Sequence, residues 1–135
     1  MASYLLDSNA FLTFKTEPAA LRSKARQAIE SPQNQILVSI ACLWELAIKA
    51  ANGKLPRFTE MMARGPDMLL AGLRESGLEL LPIEVSHALA AAALPQHHRD
   101  PFDRLMIAQA IAENLTLITS DAIFSRYQGL HTLHT

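Results

Sequence analysis

A single cysteine, Cys42, leaves no possibility of an internal disulfide and fits a reducing compartment. No apolar run approaches the ~20 residues needed to cross a bilayer, which sets aside a membrane-spanning helix. The opening MASYLLDSNAF has neither a basic region nor a small-residue cleavage site. It is therefore not read as a secretory signal, and the expected location is the cytoplasm. No G-x-G-x-x-G or Walker-type loop occurs, so nucleotide-cofactor chemistry has no support. His97 and His98 have no cysteine or further histidine at zinc-like spacing and are expected in a solvated loop. His87, inside an Ala-rich run, is expected to be structural. Charge of one sign is not in excess either: 12 basic and 13 acidic residues give a net charge of −1. A nucleic-acid binder usually shows a basic footprint. Should four acids be committed to a cation, however, nine would face 12 bases. That balance is enough for local phosphate contacts and too little for long-range steering.

What the sequence has is apolar surface. Half of its 135 residues are hydrophobic, enough for one domain with a sizeable core and a surplus that fits a partner or a second copy. Continuous apolar runs at 3–7, 34–39, 78–83 and 115–119 read as buried strands. Between them lie helical patterns. One begins near Ser8. An amphipathic one spans 18–31, with Arg22, Lys24 and Arg26 on its outer face. Another spans 40–53, with Ile40, Leu43, Trp44, Ala47, Ile48 and Ala51 as its apolar stripe and Gly53 as its stop. Two more are split at Gly65-Pro66, an Ala-rich one covers 85–95, and a short one follows Ser120. Met61, Met62 and Met68 are expected to fill a core or a dimer face. The best-marked helix is DPFDRLMIAQAIAEN, with Asp100 at N-cap and Pro101 at N1. Strands alternating with helices, and strands that are apolar throughout, indicate an α/β fold. Its parallel sheet of four to five short strands has helices on both faces.

Ligands of such sheets bind at the carboxyl ends of the strands. Asp7 ends the first strand, Asp121 stands two residues past the fourth, Glu45 lies early in the helix after the second, and Asp103 lies in the first turn of its helix. Four acids from four segments thus reach one sheet edge. Clustered carboxylates raise one another's pKa unless a cation neutralises them, and a hard divalent ion with oxygen ligands suits such a set. Each acid also has a plainer reading: a turn residue for Asp7, an i,i+4 ion pair with Lys49 for Glu45, a helix cap for Asp121, a first-turn acid for Asp103. Only their joint placement favours chemistry. Ser8, Asn9, Thr119 and Ser120 read equally as caps or as hydroxyl and amide neighbours of the acids.

Three segments, YLLDSNAFL (4–12), SIACLWELAIKAANGKL (39–55) and HHRDPFDRLMIAQAIAENLTLITSDAIFSRY (97–127), together resemble the PIN-domain ribonucleases, and more closely the VapC-type toxins of toxin–antitoxin pairs. The likeness is weak between Arg57 and Glu79. It implies a PIN domain over 1–135, with the family's acidic quartet on Asp7, Glu45, Asp103 and Asp121. It further implies Mg²⁺ or Mn²⁺ dependence, RNA cleavage, frequent homodimers and a cognate antitoxin that holds the toxin inactive. In that reading Asp7 and Asp103 hold the metal most directly, and Arg99, Arg104 and Lys49 are the bases available to an RNA backbone. A receiver or a HAD-type phosphatase fits poorly. The latter wants an acid two residues after Asp7 where Asn9 stands, and the former an acid ending a third strand that here runs into LLPIE. The alternative from another class is a non-catalytic PIN-like module that binds RNA or protein.

Overall fold

The computed structural model describes residues 2–135. Five parallel strands form one sheet in the order β3-β2-β1-β4-β5: β1 (Ser3–Leu6), β2 (Gln35–Ser39), β3 (Leu78–Leu81), β4 (Thr116–Thr119) and β5 (His131–His134). Seven helices connect them: α1 (Ser8–Thr16), α2 (Ser23–Glu30), α3 (Ile40–Ala51), α4 (Pro56–Ala63), α5 (Pro66–Glu75), α6 (Val85–Ala93) and α7 (Pro101–Ala112). Successive strand residues point to opposite faces. Leu5 and Leu6 are both fully buried, as are Leu117 and Ile118, so the central strands are covered on both sides. This is why they carry no polar alternation. None of the helices among the described residues is long and apolar enough to cross a membrane.

The chain leaves β1 toward β2 and β3, then returns across it to β4 and β5. The order therefore reverses between β1 and β4, which is where parallel sheets open a crevice at their carboxyl ends. Asp7 starts there: its N–H donates to the Ile118 carbonyl at 3.1 Å, welding the end of β1 to β4.

Several local expectations are revised by the structure. The segment 18–31 is a 3-10 turn over Pro18–Ala20 followed by α2, because Leu21 and Arg22 adopt extended backbone. The run after Ser120 is a 3-10 turn over Ala122–Arg126 and not an α-helix. On α3 the residues facing the core are Ala41, Cys42, Leu46 and Ala50, whereas Ile40, Trp44, Ile48 and Ala51 are exposed, so four of the six residues of the expected apolar stripe point outward. The helix is apolar on two sides, and periodicity alone could not choose between them. Trp44 and Phe102 on α7 meet in a T-shaped pair, with centroids 5.1 Å apart. Met61 and Met62 pack against the core as expected, while Met68 is exposed. The break at Gly65 holds, its φ of +90° being one that glycine adopts freely.

Candidate active site

Each acid reaches the crevice for a local reason. Asp7 is the N-cap of α1, its Oδ1 accepting the Ala10 N–H at 2.8 Å. Ser39, the last residue of β2, caps α3 by accepting from Ala41 N, and six residues on Glu45 reaches the same pocket as Asp7, 8% exposed. Asp100 caps α7 by accepting from Phe102 N and Asp103 N at 2.8 and 3.2 Å, which leaves the Asp103 side chain free of capping duty. Asp121 caps the last 3-10 turn through Ile123 N, and its own N–H donates to Thr119 Oγ1. The plain readings hold for Asp121 as a cap and Asp103 as a first-turn acid, whereas Asp7 is an N-cap and not only a turn residue.

Together Asp7, Glu45, Asp103 and Asp121 line one pocket of about 140 Å³, with Ser8, Asn9, Lys49, Asp100 and Phe124. Ser8 is not a cap; its hydroxyl donates a short hydrogen bond to Glu45 Oε1. Lys49 sits 3.5 Å from Glu45 Oε2, the expected i,i+4 pair, and it is the sole basic side chain lining the pocket among the described residues. Asn9 is an exposed rim residue, and Ser120 is exposed and outside the lining.

The electrostatics follow from this crowding. Burial pushes the Asp103 carboxyl up to about 7, and Asp100, Glu45, Asp7 and Asp121 add repulsion in that order. Asp7 is also raised, chiefly by burial; hydrogen bonds from Thr119 and the Ala10 N–H pull the other way, and Glu45 and Asp121 push further up. Cys42, fully buried beneath the site, has its thiol pushed up to about 12 by burial, which makes it inert as a nucleophile.

Two expectations about basic and imidazole groups are overturned. Arg104 is not available to a phosphate backbone. It is 8% exposed and spends its guanidinium on four carbonyls: Ala91, Leu94, Pro95 and His98. His98 is not a solvated loop residue. Its Nε2 lies 3.1 Å from Asp103 Oδ2 and 3.2 Å from Asp121 Oδ2, inside the acid site. His97 is exposed as expected, and His87 is buried and structural, its Nδ1 accepting from Glu84 N and its Nε2 bonded to Glu113. Among the described residues, no three Asp, Glu, His or Cys side chains stand close enough to hold one ion as they are placed.

The PIN domain family model matches residues 4–130. The chain belongs to the PIN domain family. Solved structures share the fold. VapBC2 from Rickettsia felis, bound to a DNA fragment from its promoter, superposes with a TM-score of 0.73 at 21% identity over 98% of each chain. DNA-bound VapBC from Salmonella typhimurium gives 0.67 at 19% identity over 99% of this chain and 98% of that one. A toxin–antitoxin complex from Klebsiella pneumoniae gives 0.58 at 23% identity over 94% of both. No curated protein matches the sequence. The family match leaves out only the N-terminal three residues and a C-terminal stretch that includes β5, one of the two edge strands of this PIN domain.

Proposed function

We propose that this PIN domain, one domain over 1–135, is a divalent-metal-dependent endoribonuclease. We further propose that it is a VapC-type toxin of the cytoplasm, restrained by a cognate antitoxin. The observation that carries the reading is the convergence of Asp7, Glu45, Asp103 and Asp121, from four separate elements, on one pocket at the strand-order reversal. The donor set fits a hard cation, since every acid offers carboxylate oxygen, and Asp7 and Asp103 are both opposed by the charges of Glu45 and Asp121. Asp7 and Asp103 would hold Mg²⁺ or Mn²⁺ most directly, with Glu45 and Asp121 completing the set. When bound, such an ion lowers the pKa of a water and offsets the charge of an in-line displacement at phosphorus.

The protein's own side chains supply position. Asp7 is fixed by the Ala10 N–H, Glu45 by the Ser8 hydroxyl, and Thr119 supports both Asp7 and the backbone of Asp121. Lys49 at the pocket wall and exposed Arg99, next in the chain to the lining residue Asp100, are the bases left for an RNA phosphate. Exposed Ile40, Trp44 and Ile48 on α3, and Val85 and Leu89 on α6, fit an antitoxin contact and a homodimer. The toxin–antitoxin character of the structural neighbours supports this assignment.

The purified protein is expected to cleave RNA with Mg²⁺ or Mn²⁺ and to lose that activity in EDTA and in Asp7→Asn. Equal cleavage in all three samples would sink the metal-nuclease reading. Silence of the intact protein on every RNA, with binding retained, would favour a non-catalytic module. Asp100 provides an internal contrast: Asp100→Ala is expected to cost about 1 kcal/mol of stability, the usual worth of a cap. It should retain cleavage within a few-fold, as measured by denaturant titration alongside the RNA assay.

A further inference from the structure

The loop 95–100, between α6 and α7, is tied down from both sides. Arg104 donates Nη1 to the Pro95 and His98 carbonyls at 2.9 and 3.2 Å, and Nη2 to those of Ala91 and Leu94 at 2.8 and 2.9 Å. From the other side the Tyr127 hydroxyl accepts the His98 N–H at 2.7 Å and donates to the Pro95 carbonyl at 3.2 Å. Both backbone polar groups of His98 are therefore engaged, and its ring packs on Phe124 with centroids 5.3 Å apart. Such restraint on a loop residue demands a reason, and the ring supplies it. His98 Nδ1 accepts the Asp100 N–H at 3.1 Å, so the ring proton is on Nε2. Nε2 is hydrogen-bonded to Asp121 Oδ2 at 3.2 Å and stands 3.1 Å from Asp103 Oδ2, a charge-pair contact, so this one ring nitrogen meets both carboxylates. Asp103 comes from the first turn of α7 and Asp121 from the turn after β4, so nothing in either element alone sets the distance between them.

We propose that His98 is a positioning residue of the acid site: its Nε2–H spans Asp103 and Asp121 and holds the two carboxylates together as a hydrogen-bond donor, not as a metal ligand. The inference rests on the reading that these acids bind a divalent cation. The distinction between donor and ligand follows from the backbone. A ligand needs a lone pair at Nε2, which moves the proton to Nδ1, directly against the Asp100 N–H. The loop geometry opposes that tautomer. A positioning imidazole leaves the ion with an all-oxygen set and lends it no nitrogen preference.

Two measurements on the full chain test this. In the metal-free protein, ring ¹⁵N correlations assigned with His98→Gln as the reference are expected to show the Nε2–H tautomer; the Nδ1–H tautomer overturns the proposal. Titration with Mg²⁺ and with Mn²⁺ by calorimetry then compares wild type, His98→Ala and His98→Gln. His98→Ala is expected to weaken both ions by a similar factor, about 10-fold or more, as for other groups that orient metal-binding side chains. His98→Gln, whose amide can donate from a similar place, should recover most of the loss. Unchanged affinities in His98→Ala, or a much larger loss for Mn²⁺ than for Mg²⁺, overturns the positioning role. Should wild type bind neither ion, the nuclease reading fails, and the tautomer measurement still decides how His98 meets the two acids.

Discussion

Asp103→Asn is expected to lower RNA cleavage by at least about 100-fold, more than loss of a group that merely orients a ligand costs, while stabilising the metal-free protein above neutral pH. The two effects share a cause. The Asp103 carboxyl titrates at about 7 in the folded chain against an ordinary value of 3.8, mainly because it is buried and then because Asp100, Glu45, Asp7 and Asp121 surround it. Between those two values the folded state binds the proton and the unfolded state does not. The stabilising contribution is complete below the unfolded value and is lost as pH rises through the folded one. Asp7, raised in the same direction, adds to the same trend.

The wild-type metal-free protein should accordingly lose thermal stability as pH rises from about 4 toward 7, and Asp103→Asn should flatten that slope. Mg²⁺ or Mn²⁺ should raise the midpoint of the wild type more at pH 8 than at pH 5.5, since ionised acids bind cations and protonated ones do not. Thermal scans at the two pH values, with and without the ion, together with a cleavage assay, decide the matter. An Asp103→Asn protein that cuts RNA normally, or that is much less stable than wild type at pH 8, would show that this carboxylate is structural.

Much of this arrangement was legible in the sequence because its signals are local. Asp7 follows an apolar strand directly, Asp121 follows LTLIT, and Asp100 and Pro101 announce a helix whose first turn holds Asp103. In a parallel sheet such positions share one edge, so four local signals sum to one site. His98 gave no such signal. Its place depends on Arg104 six residues on and Tyr127 on another element, and a histidine in a loop has no period to read. The available clue was Arg104 itself. It shares a helix face with Ile107, Ala108 and Ile111, where a solvated or RNA-facing arginine does not belong. β5 was missed for a different reason: HTLH, at the sheet edge, buries little and so carries no apolar run. The outward stripe of α3 was misassigned because the helix is apolar on both sides, and only packing shows which side meets the sheet.

Arg104→Met is expected to cost about 3 kcal/mol, which for a chain of this size lowers the thermal midpoint by roughly 10 °C. Methionine keeps the stem volume and removes the guanidinium, so the loss is polar. Of the four carbonyls that Arg104 serves, Ala91 retains the Leu94 N–H and Pro95 retains the Tyr127 hydroxyl. Leu94 and His98 lose the donor that Arg104 gives them. Hydrogen bonds to a charged group are worth about 1.5–3 kcal/mol each, and the lower figure applies where water can reach the carbonyl. Removing the cation also strips a favourable charge from the C-terminal end of α6. Arg104→Lys should recover less than half of the loss, because one ammonium cannot reproduce a planar fork that reaches carbonyls in two directions. The same substitutions free the loop that carries His98, so cation binding should weaken alongside stability. Arg99→Ala, an exposed change, should instead leave stability within about 0.5 kcal/mol and act on RNA binding alone. Denaturant titrations and RNA-binding curves on the three variants separate the roles. An Arg104→Met protein as stable as wild type but unable to bind RNA would return Arg104 to the substrate surface.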